Sequence, residues 1–325
     1  MDNQRPPFHQ ENLDLFWRFI AERQEVWYRR SALGLPGPWT DDPILRHERF
    51  TNVYRELDPG TAYAIQRILE RDASRQDKLF NLMVYRLIGR ADTHAVLGFQ
   101  SLDGFSSPNL AAALRKIRDS GLPPFTAAYM VSAYTSMGTP DKIENVARLF
   151  SLLHDRFDSL FRMIEGAERA DIVHRLLQTA YGFGNFLAYQ VLVDALYPLG
   201  SNDGRGLLPF HHDDWASAGP GARRGIQMLL DQVTGDGPAE RGTRPRPFSG
   251  PERSTAYDLY VMRWLRCHQR LEFERLDIEF RYLSDQEGRE VPLTLANVQN
   301  CLCEYHKYVK IRDGTGKGRR KFVAC

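Results

Sequence analysis

Cysteine is scarce. The 325 residues hold four, Cys267, Cys301, Cys303 and Cys325, with no CxxC pair among them. That spacing offers no disulfide framework and fits reduced intracellular thiols. Long apolar runs are missing too, and the longest fall far short of the roughly 20 residues that span a bilayer. The first residues, MDNQRPPFHQENLDLF, hold no basic stretch leading into an apolar core, so no secretory signal is expected. The expectation is a soluble cytoplasmic protein with no membrane partner.

Several catalytic signatures are absent. There is no HExxH, no nucleophile elbow, no CxxxCxxC cluster and no GxGxxG following a strand. GTGKGR near Gly314 lacks the spacing of a phosphate-cradling P-loop. His211-His212-Asp213-Asp214 tempts a metal reading, but adjacent histidines point apart and no paired spacing accompanies them. No metal and no cofactor are therefore expected. Catalysis, if present, rests on Arg and Lys clamps plus carboxylates.

Charge of one sign is also lacking overall, since the formal net charge is +2. Affinity for a polyanion must then come from local patches. One is plain: His306 to Cys325 carries Lys307, Lys310, Arg312, Lys317, Arg319, Arg320 and Lys321 against Asp313 alone. Such a tail either seeks phosphate or is simply a solvated charged segment.

What is present reads as helix nearly throughout. Glu11 to Leu33 puts Leu13, Phe16, Trp17, Ile20 and Trp27 on one stripe, and Ser74 to Ile88 does the same through Leu79, Leu82, Met83, Leu87 and Ile88. Further helices are expected at 61–70, 109–120, 125–134, from Thr139-Pro140 to about His154, 254–267 and 294–308, with a loop at 100–108 and a strand or more helix at 276–283. No run of alternating strands, internal repeat or low-complexity tract occurs. The fold class is all-α.

The stretch from Pro36 to Thr61, PGPWTDDPILRHERFTNVYRELDPGT, carries more directional polar groups than a structural segment needs. Asp42 reads as a helix cap with Pro43 in the first turn. Phe50, Val53, Tyr54 and Leu57 fall at i, i+3, i+4 and i+7, which predicts a helix that Pro59-Gly60 stops. Thr51, Asn52 and Arg55 flank that face and can converge on one anionic partner, with Asp58 at the helix end. The alternative is a surface helix with an ordinary Arg–Asp pair. Trp39 reads as a core plug or a stacking platform.

Two glycine-bearing turns follow. Asp171 to Ala180, Gly182-Phe183-Gly184 and Asn185 to Leu196 form a helix–hairpin–helix pattern near 171–197. Its turn amides could hold a DNA phosphate, or its glycine could merely cap a helix. Ala218 to Ile226, AGPGARRGI, is a second such turn. Gly221, Arg223 and Arg224 there suit an anion, or else a capped structural helix start. Gly235 to Pro251 reads as a flexible loop that lies along DNA or stays disordered.

Taken in order, FWRFIAERQEVWYRR, GLPGPWTDDPIL, RFTNVYRELDPGT, GFGNFLAYQVLVDALY, AGPGARRGI and VQNCLCEYHKYVKIRDGTGKGRRK resemble a family of DNA base-hypermodification proteins. Its names are alpha-glutamyl/putrescinyl thymine pyrophosphorylase and 5-hydroxymethyluracil DNA kinase helical domain. The resemblance spans almost the whole chain. It implies a single two-lobed helical domain over 1–325, like the helix–hairpin–helix DNA glycosylases, and a host-cytoplasm location if the protein is phage-encoded. It also implies a transferase in thymidine hypermodification. A separate P-loop DNA kinase first pyrophosphorylates hydroxymethyluracil in double-stranded DNA. An amine, amino acid or polyamine, then displaces pyrophosphate from the 5-methylene.

On that implied reaction the residues take roles. Arg55 with Thr51 and Asn52, and Arg223 or Arg224 at Gly221, would clamp the leaving pyrophosphate. Asp58, Asp194 or Glu304, the last beside Lys307, would take the amine's proton. A base cannot be reached inside the stack, so an extruded pyrimidine would rest on Trp39 or Tyr54. Gly182, Gly184, Lys310, Lys317, Arg319 and Arg320 would hold the DNA backbone. The family's last motif usually runs nearer CE-F-D-KY, so His306 stands in place of an acid, and the Arg-rich loop near Arg244 matches none of the motifs that carry the resemblance. A non-catalytic DNA-binding partner of the kinase and a glycosylase-like enzyme remain alternatives.

Overall fold

The computed structural model of the protein describes residues 4–199, 206–230, 251–318 and 321–322. The fold is all-α, with one two-stranded ribbon. Contacts divide it into two compact units, one formed by Met1–Asp58 with Ala216–Cys325 and the other by Pro59–Trp215.

The first unit begins with α1 (Gln10–Trp27), whose Leu13, Phe16, Trp17 and Ile20 are fully buried as the stripe predicts. Its end widens into a π-type turn over Tyr28–Ala32. In α2 (Pro43–His47) Asp42 Oδ1 accepts the N–H groups of Ile44 at 2.7 Å and Leu45 at 2.9 Å, with Pro43 leading. This satisfies two of the amides that a helix start leaves open.

The helix expected over Phe50 to Leu57 does not form. Only a short 3-10 turn, Arg55–Leu57, is helical there. The backbone donors instead go to side chains: Thr51 N to Glu304, Asn52 N to Asp58 and Arg55 N to Asn297. Asn and Asp offer the chain an alternative to the helical ladder, and here they win. Val53 and Tyr54 are fully buried all the same. The apolar spacing is therefore right about burial at Val53 and Tyr54, while Phe50 and Leu57 stay half-buried, and it is wrong about geometry.

The second unit opens where a stop was expected. Pro59 starts α3 (Pro59–Ala64), a position its fixed φ suits. Then come α4 (Arg75–Ile88), α5 (Ala91–Leu97), α6 (Ser107–Asp119), α7 (Lys142–Asp155), α8 (Phe157–Glu165), α9 (Ala170–Leu177) and α10 (Asn185–Ala195). Ser74 and Asp141 cap α4 and α7. Phe80, Phe150 and Phe157 anchor the core with edge-on ring contacts. The helix expected at 125–134 is also absent. Pro123-Pro124 precede it, Thr126 N donates to Ile88 O, and Tyr129 Oη donates to Arg86 O. The segment is thus committed to the end of α4.

The chain then returns to the first unit through α11 (Pro220–Leu230), α12 (Pro251–Arg275), a ribbon of β1 (Leu283–Ser284) against β2 (Glu290–Val291), and α13 (Leu295–Arg312). Residues 276–282 are neither strand nor helix. Leu295, Val298, Leu302 and Tyr305 of α13 face inward, and Phe16, Trp17, Phe273 and Tyr305 interlock edge-on. The basic tail is partly a misreading: residues 306–312 are the last turns of α13. Phe322 N donates to His47 O and the backbones of Lys321 and Glu48 form an isolated antiparallel bridge, so this short stretch returns to α2.

Candidate active site

The segment from Arg49 to Asp58 lies along α13 as a strap, held by side chains rather than by a backbone ladder. From α13, Glu304 Oε2 accepts Thr51 N at 3.1 Å, Asn300 Nδ2 donates to Asn52 O at 2.9 Å and Asn297 Oδ1 accepts Arg55 N at 3.1 Å. Thr51 Oγ1 donates to Asn300 Oδ1 at 3.2 Å. From α1, Arg23 Nη2 donates to Thr51 O at 2.5 Å and Asn52 O at 3.1 Å. Lys307 Nζ lies 3.4 Å from both Glu304 Oε2 and Arg49 O, and 4.5 Å from the centre of the Phe50 ring. Asn297, Asn300, Glu304 and Lys307 are spaced to share one side of α13.

The strap therefore assembles Arg23, Arg55 and Lys307 with Asp58 and Glu304. Arg23 is 4% exposed and Arg55 6%. Arg23 Nε and Nη1 find no hydrogen-bond partner among the described residues. That guanidinium also lies 4.9 Å over the Phe19 ring and acts on Asp58, in a region of weak screening. Burial pushes the Asp58 carboxyl up to about 6, while the Asn52 N–H, Arg55 and Arg23 pull the other way and Glu304 adds to the rise. A carboxyl tuned to that range can exchange a proton near neutrality. Burial pushes the Cys303 thiol up to about 11, so it stays protonated and is a poor nucleophile.

Other expected residues fall elsewhere. Tyr54 cannot stack a base: it is fully buried, and its Oη donates to Val291 O at 2.6 Å and accepts Leu283 N at 3.3 Å. Trp39 is half-buried against Phe322 and Arg30, with Nε1 on Leu35 O. Gly221 does not make room for phosphate. A Cβ there would meet Cys303 Sγ at 2.4 Å, and one at Gly225 would meet Leu302 O at 2.2 Å, so this pair lets α11 and α13 touch. Arg223 turns to α12 and pairs with Asp258 at 2.9 Å. Arg224 is exposed and acts on His306. The strap arginines and the α11 arginines thus meet different partners and form no common clamp.

Asp194 belongs to the other unit. It is fully buried, and both its oxygens accept from Arg86, one at 2.6 Å. Burial pulls the Arg86 guanidinium down, but the Asp194 charge and hydrogen bonds outweigh it and the net shift is upward. This is a closed buried pair and not an available base. Gly182 has φ +87°, and a Cβ there would meet Leu149 Cδ1 at 2.6 Å, so it needs to be glycine. Gly184 precedes α10 with open space where a Cβ would lie. Lys310 is half-buried and Lys317 exposed. Arg319, Arg320, Cys325 and the loop around Arg244 lie outside the described residues, and of 235–251 only Pro251 is placed, as the first residue of α12.

Sequence reasoning missed Arg23, Asn297 and Asn300. Arg23 carried a signal, an arginine three residues after Ile20 and four before Trp27, inside the apolar stripe. The polar row on α13 was legible too, although only Glu304 and Lys307 of it were noticed.

The family described as "5-hmdU DNA kinase, helical domain" matches residues 10–318, and the chain belongs to that family. It is 29% identical over 309 residues to the 5-hmdU DNA kinase of Bacillus phage SP10, across 91% of this chain. The chain spans only 44% of that relative's length. No solved structure matches the chain.

Proposed function

We propose that this domain transfers an amine onto a pyrophosphorylated 5-hydroxymethyluracil in DNA, as one step of thymidine hypermodification. The observation that carries the reading is the set under the strap, buried Arg23, Arg55 and Glu304 with half-buried Asp58 and Lys307. The amine nitrogen bonds to the 5-methylene carbon, the carbon–oxygen bond breaks, and pyrophosphate leaves with the electron pair. Asp58, tuned by its surroundings, takes the proton that the nitrogen sheds. Arg23 and Arg55 balance the charge that grows on the departing oxygens, where losing one such donor costs on the order of a hundredfold in rate. The strap must shift for a diphosphate to reach them, and that motion breaks single side-chain hydrogen bonds rather than a ladder. Lys310 and Lys317 add favourable charge for the DNA backbone.

A second reading has its own support. The SP10 relative is more than twice as long as the matched region, so this domain could serve as the non-catalytic helical partner of a kinase. One assay separates them: DNA carrying 5-pyrophosphoryloxymethyluracil is incubated with the protein and a pool of amines, and the nucleosides are analysed by mass. Amine adducts with free pyrophosphate support transfer. Unchanged but bound substrate supports the partner role, and abasic sites support a glycosylase-like enzyme. Arg55→Ala is expected to keep binding to plain duplex and to lose adduct formation.

A further inference from the structure

In the first unit α13 carries a second polar row, roughly a third of a turn round from the strap row at 3.6 residues per turn. It runs through His306 and Lys310, four residues apart and both half-buried. Arg224 joins it from α11, which touches α13 through Gly221 and Gly225 and acts on His306. We propose that Arg224, His306 and Lys310 form a site for a phosphate of the DNA backbone, separate from the chemistry under the strap, which binds more tightly as pH falls. The inference rests on DNA being the substrate, as read above, and assigns where the strand lies on the surface of this unit.

The pairing of the surrounding charges carries it. Arg223 pairs with Asp258, Lys307 with Glu304 and Arg312 with Asp313. Arg224, His306 and Lys310 meet no carboxylate among the described residues. Acids thus lie on the adjacent cations and not on these three. Like charges four apart on a helix repel, and an anion between them removes that cost. Lys310 is also held in place. After α13 the chain turns at Gly314, φ +68°, and comes back over it. Thr315 N and Oγ1 donate to Lys310 O at 2.9 and 3.3 Å, and a Cβ on Gly316 would lie 2.9 Å from Lys310 Cβ. The stem of the lysine is therefore packed before any ligand arrives, which lowers the ordering cost of binding.

A guanidinium, a ring N–H and an ammonium are all donors, which suits the acceptor-only oxygens of a phosphate. Arg224 is exposed, so the site opens on the surface. A phosphodiester of a long strand reaches such a place, whereas pyrophosphate leaving the 5-methylene lies at the guanidiniums under the strap. Burial, then Arg224 and Lys310, hold the His306 ring below its ordinary pKa. The ring is therefore mostly neutral near pH 7 in the free protein. A bound phosphate favours its charged form, so affinity rises as pH falls, and the gain is lost as pH rises.

The test is fluorescence anisotropy of a labelled plain duplex titrated with the full chain, over a range of salt and at about pH 7.5 and about pH 5.5. Arg224→Ala, at an exposed position, is expected to weaken binding about tenfold and to lower the salt dependence by about one phosphate contact. His306→Gln is expected to match wild type at the higher pH and to lack about a tenfold gain that wild type makes at the lower. Asp58 titrates as well, so the quantity read is the difference between wild type and His306→Gln. Equal gains on acidification in these two proteins, a wild type that binds no duplex, or unchanged affinity and salt dependence in Arg224→Ala would each overturn the assignment. So would variants that weaken binding of inorganic pyrophosphate but not of duplex, which gives the three cations to the leaving group. The two readings fail separately. Variants that weaken duplex binding in a protein that forms no adduct keep this site and remove the transfer; adducts formed while the variants bind duplex like wild type remove the site and keep the transfer.

Discussion

Each unit buries arginine with a carboxylate, and the two do so in opposite ways. In the second unit Arg86 and Asp194 face each other with two hydrogen bonds, and each satisfies the other's charge. In the first, Arg23 spends its bonds on the carbonyls of Thr51 and Asn52, while Asp58 accepts a backbone amide. The carboxyl there rests near 6 instead of being fixed by a partner. A closed pair holds a fold together; an open set keeps charge in hand for something else. The same residue types thus form a mutual pair in one unit and lie beside each other without pairing in the other.

The largest expected effect tests the closed pair. Arg86→Met leaves Asp194 charged and without its partner in the core, and is expected to cost about 3–5 kcal/mol in denaturant unfolding. A loss under about 1 kcal/mol would show that water or a rearranged neighbour satisfies Asp194, and the contrast between the units would collapse.

Next comes the open set, read through pH. The folded Asp58 carboxyl titrates near 6, above its ordinary 3.8. Between those values the folded chain holds more protons than the unfolded one, so stability falls as pH rises. The contribution is complete below about pH 4 and gone above about 6. Wild type is expected to lose on the order of 3 kcal/mol across that window relative to Asp58→Asn, which lacks this titration. Adduct formation, where the carboxylate is the base, is expected to rise through about pH 6 in wild type only. Parallel stability profiles for the two proteins would remove Asp58 from the tuned set.

The smallest effects sharpen the comparison at the glycines. Gly225→Ala pushes a methyl into Leu302 O and is expected to cost about 1–3 kcal/mol, measured by thermal unfolding. Gly184→Ala meets open space and is expected to stay within about 0.5 kcal/mol. A reversed order would mean that α11 and α13 do not pack through their glycine pair.

Legibility in the sequence followed how local each cause was. Asp42-Pro43 acts on its own neighbours, and its cap was readable from spacing alone. The burial of Val53 and Tyr54 was readable as well, because apolar spacing records exposure whatever the backbone does. The strap's shape was not. It depends on Asn297, Asn300 and Glu304, more than 240 residues away in the chain. The two α11 glycines looked like a phosphate loop because their reasons, Cys303 Sγ for Gly221 and the backbone at Leu302 for Gly225, lie on another helix. Arg23 and the α13 asparagines lie inside amphipathic helices, where the apolar stripe is the stronger pattern in the sequence.

One consequence follows from α13 supplying the strap's anchors. As a nascent chain emerges, Thr51, Asn52 and Arg55 wait for partners made some 250 residues later. All of Pro59–Trp215 can meanwhile acquire its own contacts. Ordering by sequence separation makes the charged cluster among the last features to mature. Until then a partly made molecule carries folded helices but leaves Arg23, Thr51 and Asn52 without their α13 neighbours.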